Sequence, residues 1–111
     1  MDFTTITHKR CEVLKTKGRI DGSTAPELEK AMLAIMNSGK HHIVFDMSEV
    51  SFLSSAGWWV LIGTQKECKK HGHGELVLAC VSQGIQDSLK LVGMETYFKL
   101  FNDITTAVGS F

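Results

Sequence analysis

The sequence predicts an α/β fold in which a mixed sheet of four or five strands carries about four helices. After two opening strand-like segments, strand patterns and helical patterns alternate along the chain, which favours parallel pairing with helices packed on the sheet. The chain has 111 residues, 43% of them hydrophobic and 22% charged. That length is enough for one packed domain and too short for two. We therefore expect a single domain over residues 1–111.

Charge, cysteine content and hydropathy argue against several classes of protein. Twelve basic residues balance twelve acidic ones, whereas a protein that follows nucleic-acid phosphates needs a basic excess. Cys11, Cys68 and Cys80 form no C-x-x-C pair, so we expect reduced thiols that fill the core of a cytosolic protein. No apolar run is long enough to span a bilayer, and residues 1–10 contain no apolar signal region. The expectation is a soluble, cytoplasmic protein without membrane insertion.

The first half of the chain predicts a hairpin, a helix and a buried strand. The predicted strands cover 3–8, 11–17 and 42–47, and a loop is expected over 48–55. Thr24 and Glu27 have the spacing of a capping box, Pro26 suits a first helical turn, and the residues around Gly39 are typical of a helix end. A helix is therefore predicted from Thr24 to the segment 37–39.

The second half repeats the alternation of helix and strand. The predicted elements are a helix over 56–71, a strand over 75–81, a helix over 83–92 capped by Ser82, an edge strand over 97–101 and a short helix capped by Asp103. Helical spacing places Trp58 in the core and Trp59 at the edge of the buried stripe. The same spacing predicts that Leu89 and Val92 point inward.

No segment of the chain has the residue spacing of the common catalytic and nucleotide-binding motifs. The chain contains no P-loop, no dinucleotide-binding fingerprint and no hydrolase elbow. His71 and His73 are separated by one residue, but no supporting cysteine or carboxylate pair accompanies them, so they are interpreted as exposed turn residues and not as metal ligands. Asp21, Asp46 and Glu49 are expected to accept bonds from local amides. We predict no enzyme activity, no cofactor and no metal.

The segment 50–59 is unusual because small hydroxyl residues precede an apolar helix directly after a buried strand. From the residues alone, Ser54 or Ser55 is interpreted as the residue that caps this helix.

The stretch Phe45-Asp46-Met47-Ser48-Glu49-Val50-Ser51-Phe52-Leu53-Ser54-Ser55-Ala56-Gly57 resembles the signature of STAS domains, the anti-sigma factor antagonists of bacteria. The segment 18–25 is similar to the family's loop before its first helix. The segments 75–82 and 89–94 resemble its last main strand and the end of the helix that follows. The resemblance covers about 11–108 and implies a mixed sheet of four or five strands with four helices.

The resemblance implies a binding protein that is switched by phosphorylation. In the family, the dephosphorylated form captures an anti-sigma factor, often itself a serine protein kinase, and so releases a sigma factor. The kinase phosphorylates one serine and breaks the complex, and a serine phosphatase restores it. The acceptor lies two positions before the motif glycine, which corresponds to Ser55 here. The positions expected to contact a partner are Asp21, Thr24, Ser54, Ala56 and Gly57. Trp59 is added because it lies about one turn from Ser55 and tryptophan is enriched among residues that dominate binding.

A different role stays open at this point. Small proteins of the same family serve as constitutive accessory subunits of an ABC-type lipid transporter or as parts of signalling scaffolds. In such a subunit Ser55 would be only a helix cap. A kinase gene beside the protein's own gene would favour the switch, and an ABC ATPase gene would favour the accessory subunit.

Overall fold

The computed structural model describes residues 1–111 and contains one five-stranded mixed sheet and four helices. In chain order the elements are β1 (Phe3–Thr7), β2 (Glu12–Ile20), α1 (Ala25–Asn37), β3 (His42–Leu53), α2 (Ser55–Lys69), β4 (Glu75–Ala79), α3 (Gln83–Leu91), β5 (Leu100–Phe101) and α4 (Ile104–Gly109). The strands lie side by side in the order of the sequence. β1 pairs antiparallel with β2, and every other neighbouring pair is parallel. The predicted fold class is confirmed.

Helices cover the two faces of the sheet unequally. The buried apolar side chains of α1, α2 and α3 share one cluster of 23 residues with side chains of the sheet, including the fully buried Phe45 and Leu78. On the opposite face, α4 contributes Ala107 to a cluster of six that includes Val44 and Val77. Because successive side chains of a strand point to opposite faces, the unbroken apolar runs of β3 and β4 can supply both clusters. None of the helices has the length and apolar character needed to cross a membrane.

The third strand is longer than the sequence predicts. Residues 48–53 were expected in a loop, but β3 continues to Leu53 because β2 also continues, to Ile20, and pairs with it. The ladder shifts register twice, between Lys15 and Lys17 and between Gly18 and Arg19. Such bulges change which side chains face the core, so the extended part of β3 does not show regular alternation of apolar and polar residues.

Most side chains predicted to be buried are buried, with two exceptions. Cys11, Cys68 and Trp58 are buried as expected, whereas Cys80 is only half-buried. His71 and His73 are exposed as predicted. The prediction for Val92 is wrong, because α3 ends at Leu91 and Val92 lies beyond its last turn, exposed to solvent.

Candidate functional site

The candidate site lies where the carboxyl ends of β2 and β3 meet. Both strands are parallel and each is followed by a helix, so α1 and α2 begin at the same edge of the sheet. The amide of Ser54 donates to the carbonyl of Ile20 at 2.9 Å. This bond extends the pairing beyond the strands and places the loop that begins at Asp21 beside Ser54 and Ser55.

The two serines at the start of α2 do different work. Ser54 has an extended backbone, and its hydroxyl accepts from the amide of Gly57 at 3.4 Å, which makes it the N-cap. Ser55 is the first residue of the helix and is exposed, and its hydroxyl has no hydrogen-bond partner in the chain. The cap is therefore Ser54, and the hydroxyl of Ser55 is free for a reactant or a partner.

Gly57 is a close-packing position. A Cβ on Gly57 would lie 2.9 Å from Cγ2 of Ile20 and would also overlap the side chain of Leu53. Only a residue without a side chain lets the first turn of α2 approach the ends of β2 and β3 this closely. The motif glycine thus positions Ser55 by packing and contributes no chemistry of its own.

Asp21 begins the neighbouring turn. Its Oδ1 accepts from the amide of Ser23 at 2.9 Å and from the Ser23 hydroxyl at 2.7 Å. These bonds from Ser23, first the hydroxyl and then the amide, lower the pKa of Asp21 below its usual value. The site therefore presents an ionised carboxylate at neutral pH, held by local donors as its position in the sequence predicted.

The predicted capping box of Thr24 and Glu27 is wrong. The Thr24 hydroxyl accepts from the amide of Asp21 at 2.9 Å and donates to the carbonyl of Arg19 at 3.0 Å, so it is used upstream of the helix. The Asp21 carbonyl instead receives the amides of Thr24 and Ala25, at 3.1 and 2.8 Å. Glu27 bonds to the terminal amine of Met1 at 2.9 Å. Thr24 fixes the shape of the Asp21 turn and does not cap α1.

Two adjacent tryptophans in α2 have opposite environments. Trp58 is 7% exposed and its ring centroid lies 6.2 Å from that of Phe98, whereas Trp59 is 69% exposed. Both placements agree with the helical spacing. Ala56 is half-buried against the core. Trp59 therefore offers a large apolar surface one turn along the helix from Ser55.

Arg19 and Phe52 extend this site, although nothing in the sequence indicated them. They are register partners on β2 and β3, one pair before Ile20 and Leu53. The Arg19 guanidinium carbon lies 4.2 Å from the centroid of the exposed Phe52 ring, a cation–π arrangement. Only the pairing of two distant strands brings them together, so no local pattern could have revealed the contact.

The chain shows no arrangement of three or more histidine, cysteine, aspartate or glutamate side chains suited to a metal ion. Ser55 and Trp59 are exposed and Asp21 is half-buried, so this end of the sheet presents a hydroxyl, a carboxylate and an indole to solvent.

This fold is that of a small α/β domain of the STAS type. The STAS domain model matches residues 2–107, and the chain belongs to that family. The chain is 27% identical over 95 residues to an anti-sigma-B factor antagonist of Staphylococcus epidermidis, covering 86% of this chain and 87% of the relative.

Solved structures agree. An anti-sigma factor antagonist from Mycobacterium paratuberculosis superposes with a TM-score of 0.88 at 25% identity, over 98% of this chain and 92% of that one. The Bacillus cell fate determinant SpoIIAA in its phosphorylated form has a TM-score of 0.75 at 15% identity, over 98% of both chains, which shows the shared fold.

Proposed function

We propose that this protein is an anti-sigma factor antagonist and that phosphorylation of Ser55 switches it off. Its dephosphorylated form binds an anti-sigma factor that is also a serine kinase, and so releases a sigma factor. A serine phosphatase restores the binding form. The protein acts in this scheme as a binding partner and a kinase substrate, not as an enzyme.

The observation that carries the proposal is the division of roles between Ser54 and Ser55. Ser54 bonds to the amide of Gly57, so the helix does not engage the Ser55 hydroxyl, which is exposed and unbonded. A kinase must reach a hydroxyl from solvent and align it with the phosphoryl donor, which a free side chain permits. Ser54 is half-buried and its oxygen is engaged, which makes it a poor competing acceptor.

Electrostatics explains why a phosphate at Ser55 would change binding without unfolding the domain. It would add about −1.5 to −2 charges at the start of α2, where free amides and the helix dipole favour an anion. The ionised Asp21 belongs to the neighbouring loop, tied to this one by the bond between Ser54 and Ile20. A partner that covers both groups would remove water from two like charges. Like charges brought together at an interface cost several kcal/mol of binding energy.

Trp59 and the Asp21 turn supply the partner-binding surface. Tryptophan is enriched among residues that dominate binding energy, and Trp59 is exposed on the side of α2 near Ser55. Asp21, Thr24, Ser54, Ala56 and Gly57 complete the surface, with Thr24 and Gly57 acting through the shape of the backbone. The anti-sigma factor antagonist relatives support a partner of the anti-sigma class.

A pull-down from the native cell followed by kinase assays tests the proposal. Wild-type protein should recover a serine kinase that phosphorylates it, and peptide mapping should find phosphate on Ser55. Ser55→Ala should bind the kinase and resist the switch, and Ser55→Asp should fail to bind. Ser54→Ala is the matched control and should still be phosphorylated. Phosphate on Ser54 or Thr24 alone would overturn the assignment, and recovery of an ABC ATPase in place of a kinase would overturn the proposed function.

A further inference from the structure

The end of the sheet opposite Ser55 gathers basic side chains from three distant parts of the chain. They come from the turn between β1 and β2, the connection between α1 and β3, and the end of α2. Together they line a cavity of about 310 Å³. The basic and imidazole side chains at this cavity, besides His42, are His8, Lys9, Arg10, Lys40, His41 and His71.

The geometry points to a binding pocket for a small phosphate-type anion at this end of the sheet. The chain as a whole has a formal net charge of zero, so the local excess of cations is not a consequence of composition. No aspartate or glutamate lines the cavity. A cavity of this volume is in the range of small-molecule sites, so a phosphorylated small molecule fits it better than the flat surface of a protein partner would.

His42 forms a rigid part of the cavity wall. Its Nδ1 lies 3.0 Å from the carbonyl oxygen of Arg10, and its Nε2 lies 3.1 Å from that of His73. These two contacts fix the plane of the imidazole ring between the β1–β2 turn and the segment that precedes β4. The ring stacks on Phe111 at 4.8 Å, which holds it in place.

Nearby carboxylates neutralise only part of the charge. Glu12 pairs with Lys40 at 2.9 Å, and Glu67 lies 3.8 Å from His71. Glu75, the register partner of His42, pairs with Lys99 at 3.4 Å. No ion pair involves Lys9 or Arg10, and both are exposed. These two side chains are the free charges that would contact an anion.

Helix stabilisation does not account for the whole cluster. Cations at helix carboxyl ends are favourable, which explains Lys40 after α1. Lys9 and Arg10 lie in the hairpin turn between β1 and β2 and do not follow a helix, so helix-dipole stabilisation does not explain them. The rings of His41 and His71 stack with centroids 3.8 Å apart and line the cavity beside these two residues.

A titration of the full chain with inorganic phosphate, followed by NMR at constant pH and ionic strength, tests the pocket. Resonances of His41, His42 and the 8–10 turn should shift and saturate, and pyrophosphate should bind more tightly. The double variant Lys9→Gln with Arg10→Gln should weaken binding about tenfold or more. Lys90→Gln, an exposed lysine on α3, is the matched control and should bind as wild type.

The cavity lies at the end of the sheet opposite Ser55, so phosphate binding there does not depend on the proposed switch. Ser55→Ala should therefore bind phosphate with unchanged affinity. Shifts that fail to saturate, that chloride reproduces, or that persist with equal affinity in the Lys9 and Arg10 double variant would overturn the pocket. Binding to vesicles of phosphatidylglycerol without binding to free phosphate would also overturn it, because the cavity would then recognise a lipid surface.

Discussion

Gln65 of α2 bonds to both backbone groups of Leu76 in β4. Its Oε1 accepts from the Leu76 amide at 2.7 Å, and its Nε2 donates to the Leu76 carbonyl at 3.0 Å and to the carbonyl of Tyr97 at 3.2 Å. β5 pairs with β4 only at Leu78 and Ala79. The buried amide side chain therefore takes the place of a strand neighbour where β5 is missing.

Gln65→Leu should lower the free energy of unfolding by about 2–4 kcal/mol, because two or three buried backbone groups lose their partners. Chemical denaturation measures this. Gln83→Leu is the control, since Gln83 bonds only to the exposed Asp87, and a surface change of that kind stays within about 0.5 kcal/mol. Equal stability of the two variants would contradict the role assigned to Gln65.

Gly57→Ala should destabilise the fold by about 1–3 kcal/mol, the usual cost of overpacking, because the new methyl group meets Ile20 and Leu53. Gly63→Ala in the same helix is the control. No atom lies within 4 Å of a Cβ at Gly63, so alanine should stabilise α2 by about 0.5–1 kcal/mol. Thermal melts that move in the same direction for both would refute the packing argument.

Ser54→Ala should cost about 0.5–2 kcal/mol of stability, because it removes the N-cap of α2. Ser55→Ala should change stability by no more than about 0.5 kcal/mol, since its hydroxyl bonds to nothing. Urea denaturation of the two variants side by side makes the comparison. The reverse order would show that Ser55 carries the cap and would weaken its assignment as the acceptor.

Trp58→Ala should cost about 3–5 kcal/mol, because it leaves a cavity in the core. Trp59→Ala should leave the melting temperature nearly unchanged and weaken partner binding by about 2 kcal/mol or more. Calorimetry with the captured partner measures the second effect. Full affinity in a well-folded Trp59→Ala protein would reduce Trp59 to a surface residue.

Burial raises the pKa of the Cys68 thiol to about 11, with a smaller contribution from the charge of Glu67. The unfolded chain therefore loses this proton at a lower pH than the folded chain does. The neutral buried thiol therefore contributes its full share to the free energy of unfolding below the pKa of the unfolded chain. This contribution is lost as pH rises toward 11.

The free energy of unfolding of wild type should fall more steeply between pH 9 and 11 than that of Cys68→Ala. Denaturant titrations across this range measure the difference, and the comparison cancels the other alkaline groups. Parallel curves would refute it. Cys80, which is half-buried, should react with iodoacetamide in the folded protein well before Cys68 does.

Several features follow from short-range patterns and could be predicted. The element order, the parallel crossovers and the burial of Trp58 rest on hydrophobic periods of two and 3.6 residues. The motif around Gly57 identified the family and pointed to Ser55. These features can be predicted because each depends on residues that are close together in the sequence, where local propensity and packing favour the same structure.

Other features depend on partners far away in the chain. The hydroxyl of Thr24 was expected to cap α1. It bonds instead to the backbone at the end of β2, where it accepts from the amide of Asp21 and donates to the carbonyl of Arg19. The length of β3 follows from its pairing with β2, which no pattern within residues 48–53 reveals.

The sequence by itself determined the fold class, the family and the position of the candidate acceptor. Only the tertiary structure decided that Ser54 is the cap and that the hydroxyl of Ser55 is free. It also decided that the basic residues around Arg10, His41 and His71 line one cavity. The physical reason is that a hydrogen bond or a charge cluster depends on distance in space, and the pairing of the sheet sets those distances.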